Sequence, residues 1–275
     1  SEISSKQEIY SLMRNHKVSQ IPILDDNGKI LGIEIAKELS PNFSNKFGSA
    51  LLMAGGEGKR LRPLTYKCPK PLLEIEGKPI LEIILEKCIN SGINKFFISV
   101  CYMADQIVNY FGDGSKWDVE INYLEEDKPL GTAGALSLLP KDSEDPILLI
   151  NGDVLTRVNF QDVLNYHRQN NGYITICARE HILQSPYGVI EVNGIKYQSM
   201  VEKPTFKHLV NAGIYCLDSE IITSLKKNEF LDMPNLINSL KAHNKNIIVY
   251  PVHEYWIDIG KPELLKKAHY EWKSK

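Results

Sequence analysis

The sequence predicts an α/β fold, a mostly parallel mixed sheet flanked by helices, with a small separate fragment in front of it. Three observations predict this. From Gly48 to about residue 178, short apolar strands alternate with amphipathic helical stretches. The first of these strands runs straight into a glycine-rich turn. Beyond residue 180 the strand candidates are short and crowded, as in a mixed or antiparallel extension.

Taken in order, residues 1–40 read as a unit of their own. Ile9, Leu12 and Met13 have helical spacing, and Gln20-Ile21-Pro22-Ile23-Leu24 is a short strand. Asp25-Asp26-Asn27-Gly28 has hairpin-turn chemistry. Lys29 to Ile33 forms a second strand, and Glu34 to Leu39 would begin a helix. Residues 41–47 then read as a linker, and residues 48–275 as the main domain. In that domain the expected strands are Ala50–Met53, Lys95–Cys101, Val119–Leu124, Ile147–Ile150 and Tyr173–Ala178. Helical stretches fall near Ile80–Ser91, Ala104–Tyr110, Ala133–Leu138 and Phe160–Asn170. Later strands are expected at Gly188–Val192, Ile195–Val201, Val210–Leu217 and Asn246–Pro251, and a last helix from Pro262 to about Trp272.

Composition bounds the function. The chain has 275 residues, 43% hydrophobic and 24% charged, with a formal charge of -2. A chain of that length buries a large core. No global basic field recruits nucleic acid or an anionic membrane, so phosphate binding must come from local clusters. No apolar run approaches the roughly 20 residues of a membrane span. Five scattered cysteines without a CxxC pair suit reduced thiols in the cytoplasm, the expected location. The sequence is compatible with a homo-oligomer.

The segment from Leu51 to Thr65 carries the most chemistry. Ala54, Gly55, Gly56 and Gly58 follow an apolar strand, the arrangement that brings backbone N–H groups up to phosphates. Arg60 and Lys70 supply mobile positive charge, and Lys70 stands between Pro69 and Pro71. The segment is not a Walker A loop, because Arg60 follows Gly58-Lys59 where that motif needs Ser or Thr. Nor is it a GxGxxG dinucleotide fingerprint.

The run Gly55-Gly56-Glu57-Gly58-Lys59-Arg60-Leu61-Arg62-Pro63-Leu64-Thr65, followed by Pro69-Lys70-Pro71, resembles the signature of the sugar-1-phosphate nucleotidylyltransferases, and within them the mannose-1-phosphate guanylyltransferase-like enzymes. Pro129-Leu130-Gly131-Thr132-Ala133-Gly134-Ala135, Asn151-Gly152-Asp153, Glu202-Lys203-Pro204 and Trp256-Ile257-Asp258-Ile259-Gly260 fit the same family in the same order. Each motif is weak alone, but five in order over residues 48–270 are specific. The resemblance implies a Rossmann-like core of the nucleotide-diphospho-sugar transferase type. It also implies an enzyme that joins an NTP to a sugar 1-phosphate, giving NDP-sugar and pyrophosphate.

Residue roles follow from that likeness. Asp153 and Asp258 are implied as ligands of Mg²⁺, which takes hard oxygen donors and shares them with substrate phosphates. Gly131 and Thr132 are implied in nucleotide binding with the glycine-rich turn. Lys203 is implied at the sugar phosphate and Glu202 at sugar hydroxyls, with Gly188 and Asn211 in segments similar to the sugar site. Arg60, Lys70 and Lys203 form the expected catalytic set, a matter of positioning and charge rather than of a nucleophile. The family reads the base just before the Pro-Leu-Gly segment, where this chain has Glu125 and Glu126. A carboxylate only accepts, which suits the N1–H and N2–H₂ donors of guanine and favours GTP.

Residues 1–40 resemble one CBS motif. Such motifs normally pair, and pairs often bind adenine nucleotides, so an adenine nucleotide is expected here only if a second motif joins this one. Two other readings use the same residues. One is a cytidylyltransferase for a phospho-alcohol such as phosphocholine, with Tyr187, Tyr215, Tyr255 and Trp256 as an aromatic cage. The other is an inactive nucleotide-sensing module.

Overall fold

The computed structural model describes residues 20–24, 28–35, 47–141 and 145–273. The chain divides into two compact units, Ser1–Asn45 and Lys46–Lys275. In the first, β1 (Gln20–Leu24) pairs antiparallel with β2 (Ile30–Ile35), Ile23 opposite Gly32. Glu34 and Ile35 continue this strand instead of starting a helix. The helix expected around Ile9, Leu12 and Met13, and the rest of Glu34–Leu39, lie outside the described residues.

The second unit begins with β3 (Ser49–Met53), three short 3-10 turns, and the tiny hairpin β4 (Glu74–Ile75) and β5 (Lys78–Pro79). Next come α1 (Ile80–Asn90), β6 (Lys95–Val100), α2 (Ala104–Phe111), β7 (Glu120–Glu125) and α3 (Gly131–Gly134). These are followed by β8 (Ile147–Asn151), β9 (Val154–Thr156), α4 (Phe160–Gln169), β10 (Ile174–Gln184), β11 (Val189–Asn193), β12 (Lys196–Val201) and β13 (Thr205–Leu217). The unit ends with α5 (Glu220–Ser224), α6 (Met233–Ala242), β14 (Ile247–Val252), β15 (Trp256–Asp258) and α7 (Pro262–Lys273).

Seven strands form one sheet in the order β14-β10-β13-β8-β3-β6-β7. β3 pairs parallel with both β6 and β8, and β6 with β7, while β13 runs antiparallel to β8 and β10. The strands alternate their side chains between two apolar layers. Ala50, Leu52, Phe96, Ile98, Leu148 and Ile150 join one core with α1 and α4, and Leu51, Phe97, Ile147 and Leu149 join the other with α6. In α1 the buried Ile80, Leu81, Ile84, Leu85 and Cys88 have helical spacing and make one face. The α4 start is capped by Asn159, whose Oδ1 accepts from Gln161 N–H at 3.0 Å.

Two expectations change. Ala133–Leu138 is not one amphipathic helix but a four-residue turn of α-helix followed by a 3-10 turn, Ala135–Leu138. The cause is local: Ala133 and Gly134 N–H donate to Leu231 O, so the turn is tied sideways before it can lengthen. The extension past residue 180 is longer than expected, because β10 and β13 pair from Ile174↔Leu217 out to Gln184↔Thr205.

The topology places the site. Strand order reverses about β3, with β6 and β7 on one side and β8 on the other. In such sheets ligands bind at the carboxyl ends of the strands where the order reverses. Met53 and Asn151 end β3 and β8 as register partners there.

Candidate active site

The glycine-rich turn leaves β3 at that reversal. Ala54 N–H still donates to Ser99 O at 3.0 Å, which ties the turn to the end of β6. From Gly55 to Arg60 the backbone N–H groups have no hydrogen-bond partner among the described residues. Gly58 sits in the left-handed region, φ 61°. A Cβ there would lie 3.0 Å from both Lys70 Cβ and Thr65 Cγ2, so glycine lets the turn close onto those residues. Thr65 is fully buried and donates its hydroxyl to Gly58 O at 3.0 Å. Glu57, the acid of the segment, is engaged by Lys59 at 3.0 Å and Arg62 at 3.6 Å.

Pro69 and Pro71 hold Lys70 at the start of a 3-10 turn, with the residue buried. Its ammonium donates to Asp153 Oδ2. Asp153 stands just past β8, beside Gly152, whose N–H donates to Met53 O at 2.8 Å. Asp258 ends β15, which pairs antiparallel with β9 so that Asp258 lies opposite Val154. Ile259 N–H donates to Asp153 O at 3.0 Å. The two carboxylates are therefore brought together by a two-stranded sheet of three-residue strands.

Their electrostatics are lopsided. Burial pushes the Asp258 carboxyl above its ordinary range, and the Asp153 charge adds to that, while Lys70 and Arg60 oppose it. Asp153 Oδ1 and Asp258 Oδ1 are both buried without a hydrogen-bond partner. Two neighbouring carboxylates, each with a buried oxygen left unpartnered, are unfavourable unless a cation joins them. The pair fits a hard divalent ion completed by substrate oxygens and water. No group of three or more His, Cys, Asp or Glu side chains suited to a metal occurs among the described residues. Arg60 reaches the same place from the turn, its guanidinium 3.2 Å from where a Gly260 Cβ would stand.

The two acids before Pro129 differ. Glu125 is exposed, whereas Glu126 is buried. Glu126 Oε2 accepts from Leu130 N–H at 2.8 Å, and Oε1 lies 3.3 Å from where a Gly55 Cβ would stand. Glu126 thus bridges the glycine-rich turn and the Leu130 turn. Thr132, implied in nucleotide binding, donates its N–H to Asp232 Oδ1 at 3.2 Å.

The remaining residues group elsewhere. Glu202 Oε2 lies 2.9 Å from where a Gly188 Cβ would stand, and Lys203 N–H donates to Tyr187 O at 3.2 Å. Glu202 and Lys203 are exposed on this β11–β12 arm. Asn211 donates to Tyr215 OH and accepts from Gly213 N–H at 3.0 Å. A Gly213 Cβ would meet Asn151 Nδ2 at 2.6 Å, so this segment adjoins the strand end that carries Asp153. Asn151 and Asp232 were missed by sequence reasoning; Asn151 at least stands beside Gly152-Asp153 in a motif already singled out. Three of the four aromatic-cage candidates have other tasks, and Tyr187 is exposed. Tyr215 is buried, Tyr255 packs on Trp272 with ring centroids 5.7 Å apart, and Trp256 Nε1 donates to Ala212 O at 2.8 Å.

Comparison with known proteins bears on this geometry. A family model described as nucleotidyl transferase matches residues 49–275. The mannose-1-phosphate guanylyltransferase catalytic subunit beta of Drosophila pseudoobscura pseudoobscura is 33% identical over 241 residues, 82% of this chain and 62% of that protein. The protein of the same name from Xenopus tropicalis is 30% identical over 249 residues, 81% of this chain and 67% of its own. The chain spans about three fifths of the length of the curated relatives it matches, 61% for a rice relative. Among solved structures, HddC from Yersinia pseudotuberculosis, complexed with GMP-PN, superposes with a TM-score of 0.63 at 25% identity. It covers 82% of this chain and 99% of its own.

Proposed function

The chain belongs to the nucleotidyl transferase family, and on that premise we propose that it joins a nucleoside triphosphate, GTP by preference, to a sugar 1-phosphate, with mannose 1-phosphate the first candidate. One observation carries this reading. The unpartnered N–H groups of residues 55–60 open beside Lys70 and the orphaned oxygens of Asp153 and Asp258. That is a place for a polyphosphate and a divalent cation together.

In this reading a phosphate oxygen of the sugar 1-phosphate attacks the α-phosphorus of the NTP in line. The bond from that phosphorus to the bridging oxygen breaks, and pyrophosphate leaves with the electron pair. The N–H groups of residues 55–60 hold the triphosphate, with Arg60 and Lys70 meeting its charge. Asp153 and Asp258 would hold Mg²⁺, which when bound neutralises triphosphate and leaving group. Glu126, with Oε1 toward Gly55, is the acid placed to accept from guanine; exposed Glu125 is not favoured for that role. Lys203 on the β11–β12 arm would meet the incoming phosphate, and Glu202, Gly188 and Asn211 the sugar.

The guanine preference draws support from Glu126 and from relatives named as guanylyltransferases. The test is pyrophosphate release from GTP, UTP, dTTP, CTP and ATP, each with mannose, glucose and glucosamine 1-phosphates. The expected outcome is fastest release with GTP. A clear preference for UTP would overturn the assignment of Glu126, and no release from any pair would overturn the activity.

A further inference from the structure

The turn Leu130–Gly134 and the start of α6 cap each other. Asp232 is the N-cap residue of α6, yet its carboxylate makes no cap bond to that helix. Instead Oδ1 accepts from Thr132 N–H at 3.2 Å and stands 3.5 Å from the Thr132 hydroxyl. In return Thr132 Oγ1 accepts from Met233 N–H at 2.8 Å. Each side chain serves the helix start of the other. Leu231 completes the exchange: its carbonyl accepts from Ala133 and Gly134 N–H at 2.9 and 3.0 Å, and its N–H donates to Leu130 O at 2.8 Å.

The donors of the turn are thereby used in turn. Leu130 N–H goes to Glu126 Oε2, Thr132 N–H to Asp232, and Ala133 and Gly134 N–H to Leu231 O. Gly131 N–H has no partner among the described residues. Its backbone is in the left-handed region, φ 81°. A Cβ there would lie 2.8 Å from Asp232 Oδ1 and 2.7 Å from Leu231 O. The Asp232 segment therefore packs directly against the one residue of the turn whose donor is left over.

We propose that Asp232 is a positioning residue for the nucleotide: by capping Thr132 it fixes the Gly131 N–H relative to Glu126, so that a donor and an acceptor meet the edge of the base together. This rests on the nucleotide-site reading above. Asp232 acts through the turn and touches no substrate itself.

The test separates positioning from mere helix capping. Asp232→Ser keeps an N-cap for α6 but is too short to reach Thr132. Asp232→Asn keeps the acceptor and drops the charge. KM for GTP, KM for the sugar 1-phosphate, kcat, equilibrium GTP binding and Tm are measured for both. The expected result for Asp232→Ser is a GTP KM raised about tenfold, the loss of one capping contact. Its kcat and sugar-phosphate KM should stay near the wild-type values, and Asp232→Asn should restore most of the GTP KM. An unchanged GTP KM in Asp232→Ser would overturn the proposal. So would equal loss in both KM values without rescue by asparagine, which marks a structural role only. GTP binding that Asp232→Ser weakens, in a wild-type chain that releases no pyrophosphate, would uphold the positioning role while overturning the transferase reading. Absence of both binding and turnover would overturn both.

Discussion

Lys70 and Asp153, 83 residues apart in sequence, form an ion pair in which the lysine side chain is 11% exposed and the aspartate 23%. Asp258 stands beside them without an ammonium of its own, and burial with the Asp153 charge holds its carboxyl above the ordinary range. The carboxylate pair is thus left unfavourable until a cation arrives.

That cost predicts a response to Mg²⁺ alone. Titrating the wild-type chain should raise its unfolding free energy by about 2–3 kcal/mol at a hundredfold excess over the dissociation constant. In Asp153→Asn the increment should largely vanish. An equal shift in both proteins would remove Asp153 from the ion.

Function and stability should part company at Asp258. Asp258→Asn removes a carboxylate that burial and Asp153 both disfavour, so Tm should hold or rise. Pyrophosphate release should fall by about 100-fold or more, since charge at a phosphoryl-transfer centre carries most of the catalysis. Wild-type turnover in this variant would sink the metal assignment.

Gly152 offers a steric test. A Cβ there would lie 2.5 Å from Met53 O, so Gly152→Ala must push β8 away from β3 where Asp153 begins. The cost should be about 1–3 kcal/mol of stability, read by urea unfolding. Turnover should fall further than that loss alone explains, because the carboxylate moves with its neighbour.

A pH effect is expected far from the site. His167 is buried beside Thr175, with Nδ1 2.8 Å from Oγ1, and burial lowers its pKa to about 4. The neutral ring is favoured in the fold, while the unfolded chain takes up a proton near pH 6.5. Stability should therefore be full above about pH 6.5, fall as pH drops below it, and level off near 4. The loss is up to about 3 kcal/mol. Urea unfolding of wild type and His167→Gln between pH 4 and 8 checks this, and an equally steep fall in the variant would assign it to other groups.

Much of the site was legible because local chemistry wrote it. An apolar run ending in Gly55-Gly56 announced a strand and an open turn, and two prolines around Lys70 announced a fixed cation. Asp153 after Ile147–Ile150 was legible as a carboxylate at a strand end. The rest depends on register between distant segments, which leaves no periodic trace. Three-residue strands such as β9 and β15 are too short to alternate, so their pairing was invisible. Asp232 drew no reading at all, since nothing in Phe230–Pro234 reveals that Thr132 lies across from it. The choice between Glu125 and Glu126 was left open in sequence. In the fold Glu125, the last residue of β7, faces solvent and Glu126 turns inward, which supports Glu126 in the proposed reading.

The β9–β15 pairing has a further consequence for how the protein comes to life during synthesis. Asp153 is made 105 positions before its counterpart Asp258, and a chain still being translated through Tyr250 already contains the whole triphosphate loop, Lys70 and Asp153. On the proposed mechanism such a chain lacks the second carboxylate, which joins the first only when Trp256–Asp258 pairs with Val154–Thr156. In this reading, competence for catalysis waits on the pairing of two three-residue strands.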